Sequence, residues 1–198
     1  MVEYGVAKYV LPGQGESGDH HLVCCNRSGI LIAAIDGIGH GEEAASVSKT
    51  AAAILRNSAD EPIIWLVERC HEKLRSTRGV VLSLAFVEPE HGMMTWLGVG
   101  NVLGVLMRSN PKNGNPQESL LLRAGVVGSQ LPALQATVIP IEKGDTLFFA
   151  TDGIRSDFSA TLSARENPQR AADRILEQYR SGNDDALVLV TRITGVHQ

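Results

Sequence analysis

Gly29-Ile30-Leu31-Ile32-Ala33-Ala34-Ile35-Asp36-Gly37-Ile38-Gly39-His40-Gly41 is the stretch that decides the fold. Gly29 to Ile35 is an unbroken apolar run of strand length, the composition of a strand buried on both faces. An acid ends it, and three glycines then permit a tight turn with exposed backbone carbonyls. The same grammar recurs further along. Thr146-Leu147-Phe148-Phe149-Ala150-Thr151 runs into Asp152-Gly153, Asp184-Asp185 precedes Ala186-Leu187-Val188-Leu189-Val190, and Asp19 stands between a Gly-rich loop and the strand-like segment from His20 to Cys25.

Working outward, strand-like segments dominate: 3–9, 21–26, 29–35, 80–88, 93–99, 102–108, 118–123, 135–140, 145–151 and 186–193. Helical spacing of apolar residues appears three times. From Glu42 to about Ser58 it involves Ala45, Val47, Ala51, Ala52, Ile54 and Leu55, and from Pro62 to Ser76 it involves Ile63, Leu66, Val67, Cys70 and Leu74. From about Pro168 to Arg180 it involves Ala171, Ala172, Ile175, Leu176 and Tyr179. Strands, two consecutive helices, a long series of strands, a helix and a last strand do not alternate as a doubly wound fold does. The order predicts an α+β fold, with antiparallel sheets and helix layers outside them. The turn-rich stretch Ser109-Asn110-Pro111-Lys112-Asn113-Gly114-Asn115-Pro116 reads as a long hairpin loop rather than a linker, so residues 1–198 are expected to form one domain.

The bulk numbers narrow the class. The chain has 198 residues and a net charge of −4, with Lys and Arg scattered, which argues against a nucleic-acid footprint. No run of about 18 apolar residues and no signal-peptide pattern is present, so a cytoplasmic protein that binds no membrane is expected. Three cysteines, Cys24, Cys25 and Cys70, read as packing residues rather than as a disulfide framework. Trp65 and Trp96 sit in apolar patterns and read as core, though either could anchor a protein partner.

A single Asp-Gly at a strand end is ordinarily a turn. Four acids, Asp19, Asp36, Asp152 and Asp184, at four strand termini are a different matter, because carboxylates brought together repel one another unless cations hold them. Oxygen-only ligands suit Mg²⁺ or Mn²⁺ rather than zinc and leave room for water in the shell. Two such ions can share a water, lower its pKa and orient it for hydrolysis. Asp145 and Asp157 read as turn residues, and Asp185 as a ligand or a turn cap. His40 is a candidate general acid for a leaving oxygen, or a residue packed at the head of the helix that follows. His20 and His21 adjoin Asp19 but must point to opposite faces of a strand.

Asp36-Gly37-Ile38-Gly39-His40-Gly41, Lys143-Gly144-Asp145-Thr146-Leu147-Phe148-Phe149-Ala150-Thr151-Asp152-Gly153 and Asp184-Asp185-Ala186-Leu187 together resemble the motifs of the metal-dependent type 2C Ser/Thr protein phosphatases (the PPM family). The His-Gly after the first Asp-Gly is similar to the bacterial SpoIIE/RsbX branch, and the similarity runs from about residue 15 to 193. With no sensor or receiver domain, the chain looks most like the stand-alone stressosome phosphatases of that branch. The resemblance implies a four-layer αββα sandwich, two antiparallel sheets flanked by helices, with two Mn²⁺ or Mg²⁺ ions in a cleft at one end. Asp36 would bridge the ions, the Gly37 carbonyl would bind one of them with Asp19 assisting, and Asp152 and Asp184 would hold the other. It further implies a cytoplasmic monomer that dephosphorylates phosphoserine or phosphothreonine on stressosome (STAS-type) proteins, by direct attack of a metal-bridging hydroxide.

The sequence also departs from the family pattern. The loop Leu11-Pro12-Gly13-Gln14-Gly15-Glu16-Ser17-Gly18 lacks the phosphate-gripping Arg that many relatives carry there, Gly100-Asn101 replaces Gly-Asp-Ser, and no long flap insertion is evident. Two alternatives therefore stand beside the phosphatase reading. One is a non-catalytic docking module on the same fold, and the other a SpoIIE-like phosphatase for a different anti-anti-sigma-type substrate.

Overall fold

The computed structural model describes residues 1–111 and 116–195; the interior of the 109–116 loop lies outside the described residues. Strands β1 (Val2–Tyr9), β2 (Asp19–Cys25) and β3 (Ile30–Gly37) lead into helices α1 (Gly41–Asn57) and α2 (Ile63–Leu74). Seven strands follow: β4 (Val80–Glu88), β5 (Met93–Val99), β6 (Leu103–Met107), β7 (Gln117–Ser119), β8 (Leu122–Arg123), β9 (Thr137–Pro140) and β10 (Thr146–Ala150). A short 3-10 helix (Ser156–Thr161), α3 (Pro168–Tyr179) and β11 (Ala186–Ile193) complete the described chain.

The strands form two sheets. One has the order β1-β11-β10-β6-β7, and the other β2-β3-β4-β5-β8 with β9 also paired to β5. All pairings are antiparallel except β5–β8, where Gly98 and Val99 run parallel to Leu122 and Arg123. That exception corrects the expected single strand over 118–123. Leu120 donates its backbone N–H to Gly104 O at 2.8 Å, still on the first sheet, and two residues later the chain has crossed to the second. Three consecutive leucines read as one strand by composition, whereas Leu120 is buried and Leu121 is 62% exposed at the crossing.

Side-chain alternation builds the layers. On β3, Leu31, Ala33 and Ile35 pack against α1 and α2, while Ile30, Ile32 and Ala34 face the other sheet. On β10 and β11, Phe148, Ala150, Val188 and Val190 face α3, while Leu147, Phe149, Leu187 and Leu189 face inward. The result is a helix–sheet–sheet–helix stack, the expected αββα sandwich, with an apolar layer at each of its three contacts. Burying a side chain such as Phe148 or Phe149 contributes about 1.5–3 kcal/mol relative to leaving it exposed. The helix α3 starts where the sequence places it: Asn167 accepts from the N–H groups of Gln169 and Arg170, and Pro168 occupies the first turn, where its missing N–H costs nothing.

Two packing expectations need correction. Trp96 is core, but Trp65 is 39% exposed and stacks under the Arg69 guanidinium, because it falls on the face of α2 opposite Val67 and Cys70. Cys70 is buried and Cys24 half-buried as packing residues, whereas Cys25 is exposed on the edge strand β2. No helix of the described residues is long and apolar enough to cross a membrane.

Candidate active site

The alternation that sorts β3 into two faces also decides where its last acid goes. Residues 30, 32 and 34 face the inter-sheet layer, and Asp36 continues that parity at the strand's end, where the apolar layer stops. Asp19, the first residue of β2, is its registered partner across the ladder. From the opposite sheet, the exit of β10 delivers Asp152 and the entry of β11 delivers Asp184. Four chain segments distant in sequence thus bring acids to the same end of the sandwich.

Asp36, Asp152 and Asp184 line a cleft of about 440 Å³ together with His40 and Asn101. Asp19 and Gly37 are not on its surface. Asp19 is 3% exposed behind Asp36, and Gly37 is buried against α1. A Cβ at Gly37 would stand 2.3 Å from the Ala44 carbonyl oxygen, so only glycine lets the helix approach this closely. The turn itself is made by Gly39 and Gly41, both at positive φ. His40 caps α1 without a side-chain hydrogen bond and is exposed at the cleft, not packed against the helix.

The electrostatics follow from burial and like charge. No hydrogen-bond donor reaches the Asp36 carboxylate among the described residues. Its pKa is pushed up to about 9, first by burial and then by repulsion from Asp19, Asp152, Asp184 and Asp185. Asp19 rises to about 7, again first through burial, although the Thr151 hydroxyl donates to its Oδ2 at 2.7 Å and pulls the other way. Asp152 is raised too, by partial burial and by Asp184, against a bond from Asn101 Nδ2 to its Oδ2 at 2.8 Å. A divalent cation reverses this logic, because it favours the ionised form of every carboxylate around it.

Two residues missed by sequence reading as parts of the site hold it together. Thr151 is fully buried; its hydroxyl accepts from Leu187 N at 2.8 Å and donates to Asp19, which joins the two sheets under the cleft. The sequence signal was a hydroxyl at the exit of a strand whose interior, Leu147 to Ala150, is apolar. Asn101 orients Asp152 across 51 positions of sequence, and its substitution for an acid was visible although its partner was not. Asp185 proves to be a cap. Its two carboxylate oxygens accept from Leu11 N at 2.8 Å and Gly18 N at 2.7 Å, tying down the loop before Asp19. His21 and His20 lie beside Asp19, but neither lines the cleft.

Two stacked sheets between helix layers, with an acidic cleft at one end of the stack, define a PP2C-type phosphatase fold. The chain belongs to the SpoIIE family: residues 26–194 match the family model of Stage II sporulation protein E (SpoIIE). Among relatives, phosphoserine phosphatase RsbX of Bacillus subtilis (strain 168) is 23% identical over 189 residues, covering 94% of this chain and 93% of that protein. A chain solved in the study of the bacterial stressosome as a modular system adapted to control secondary messenger signalling superposes with a TM-score of 0.87. It is 28% identical, over 97% of this chain and all of the other. The crystal structure of RsbX in complex with magnesium superposes with a TM-score of 0.85 at 21% identity, over 98% and 96% of the two chains.

Proposed function

We propose that this chain is a divalent-metal-dependent phosphatase that removes phosphate from phosphoserine or phosphothreonine on bacterial stress-signalling proteins of the stressosome type. The observation that carries the reading is Asp36, a carboxylate with no donor, set into the end of the inter-sheet layer among other acids. Such a group is costly to keep in a metal-free protein and useful in a metal-bound one. The donor set fits Mg²⁺ or Mn²⁺. It is all oxygen; among the described residues no three His, Cys, Asp or Glu side chains already form an ion site, so backbone oxygen and water would have to complete the shell.

In this reading Asp36, Asp152 and Asp184, with the Gly37 carbonyl and Asp19 behind them, would hold two divalent ions. When bound, the ions would neutralise the acid cluster and bring the pKa of a water near neutrality, supplying a nucleophile for a phosphate monoester. The chain's own residues do the rest. Thr151 fixes Asp19 against the opposite sheet, Asn101 fixes Asp152, and Asp185 anchors the loop between β1 and β2. His40, free of any cap bond at the cleft, donates a proton to the departing serine or threonine oxygen. The chain works as a monomeric cytoplasmic enzyme on a phosphoprotein.

Support for the substrate class comes from the stressosome structure and from RsbX, each matched over nearly its whole length. The test is hydrolysis of an aryl phosphate with Mn²⁺, with EDTA, and with Mn²⁺ on Asp36→Asn. The expected loss in the last two is at least about 10³-fold, since Lewis-acid stabilisation is worth several kcal/mol. Equal rates in all three would sink the metal mechanism. Inactivity throughout with intact binding of a phosphoprotein would establish the docking module instead.

A further inference from the structure

A phosphate ester entering this cleft meets an acidic wall. Among the described residues lining it there is no Lys or Arg, only Asp36, Asp152, Asp184, His40 and Asn101 as polar side chains. One arginine stands just outside it, against the turn that forms its wall, where it lines a neighbouring pocket with Glu43, Ser46 and Val47. Arg78 ends the connection from α2 to β4, and its Nη1 would stand 2.8 Å from a Cβ built on Gly39, so its guanidinium lies against the backbone of a residue that lines the cleft. Its place is set by the acidic turn itself. Ile38, two residues after Asp36, donates its N–H to Gly79 O at 3.1 Å, and Gly79 follows Arg78 directly. The other terminal nitrogen, Nη2, pairs with Glu43 Oε2 at 2.5 Å in the first turn of α1.

We propose that Arg78 is the phosphate-binding arginine of this protein, supplied from the α2–β4 connection instead of the loop before β2, and that Glu43 holds it in waiting. This rests on the phosphatase reading above. The side chains of Arg78 and Glu43 are 54% and 70% exposed, and an exposed pair of this kind is worth so little that it can be exchanged. A phosphoryl group is the better partner, since it carries more charge than a carboxylate and matches the planar guanidinium with two parallel N–H···O bonds. Gly39 is part of the device: its positive φ and missing side chain leave the space that the guanidinium occupies.

A purely structural Arg78 would merely clamp the 39–43 turn, and the variants separate the two roles. In the full chain with Mg²⁺, calorimetric titration with inorganic phosphate reads binding without turnover. Initial rates on a phosphoserine peptide give KM and kcat. Arg78→Ala is expected to weaken phosphate and raise KM by about 10- to 100-fold, the usual effect of losing hydrogen bonds to a charged group, with the larger change in KM. Arg78→Lys should fall between, because it keeps the charge and loses the fork. Glu43→Gln frees the arginine and should tighten phosphate by up to about fivefold. Phosphate binding unchanged in Arg78→Ala overturns the proposal, as does a loss in Glu43→Gln equal to that in Arg78→Ala, which is what a clamp predicts. A wild-type chain that binds phosphate through Arg78 yet hydrolyses no ester overturns the proposed activity and leaves this assignment standing.

Discussion

Strand β10 has an acid beside a glycine at each end, Gly144-Asp145 at its entry and Asp152-Gly153 at its exit, and the two ends behave oppositely. Asp145 is 1% exposed yet fully partnered. It accepts from Arg108 Nη1 at 2.9 Å, from Ser109 N at 2.8 Å and Oγ at 3.1 Å, and from Glu142 N at 3.0 Å. At the other end the acids face acids. Among the described residues Asp36 has no donor, Asp19 has Thr151, and Asp152 has Asn101 and the backbone N–H groups of Asp152 and Gly153. Burial alone therefore does not distinguish a functional carboxylate from a structural one; what distinguishes them is whether the fold supplies the counter-charge. At the Asp145 end it does, with Arg108. At the cleft end no Lys or Arg is among the described lining residues.

If that contrast is right, substitutions at the two ends should differ in kind. The largest stability loss belongs to the satisfied end: Asp145→Ala should cost about 3 kcal/mol in urea denaturation, because two part-buried backbone N–H groups and part of the Arg108 guanidinium lose this carboxylate as partner. The loss should be the same with EDTA or Mg²⁺. Next is Thr151→Val, expected to cost about 2 kcal/mol by orphaning Leu187 N–H, and to weaken ion binding as well, since Asp19 loses its tether. Smallest is Asn101→Ala. It should leave metal-free stability within about 0.5 kcal/mol and lower ion affinity about tenfold in a Mg²⁺ titration, the scale typical of a residue that orients a ligand. A metal-free stability loss in Asn101→Ala as large as that in Asp145→Ala would erase the distinction between the ends.

How much of this was legible in the sequence depends on the range of the interaction. The run 29–35 and the acid behind it are local, so the strand, its double burial and the strand-end position of Asp36 could be read directly. Helix faces were legible for the same reason, except that a period cannot tell that Trp65 lies beyond the edge of the buried stripe. What needed three dimensions was pairing. The register that sets Asp19 opposite Asp36 and the hydroxyl bridge from Thr151 join segments 17 and 132 positions apart, and nothing in a local pattern encodes either. The sheet crossing at Leu120 and Leu121 was hidden because both halves are apolar. Gly37 was read as a turn former, whereas its missing Cβ serves the close approach of α1.

The central claim is that Asp36 is destabilising until cations arrive, and its sign can be worked out. A carboxyl raised from 3.8 to about 9 binds more protons in the folded chain than in the unfolded one over that interval. Stability of the metal-free protein should therefore fall as pH rises from about 4 to about 9, and saturating Mn²⁺ should flatten the decline. The direct measurement is thermal melting of wild type and Asp36→Asn at pH 8, each in EDTA and in Mn²⁺. The account predicts a crossover: the variant, neutral without taking up a proton, melts higher than wild type in EDTA, by about 2–4 °C for each kcal/mol that wild type spends on keeping the buried Asp36 protonated, and lower than wild type in Mn²⁺. The same order of melting temperatures in both buffers would contradict it.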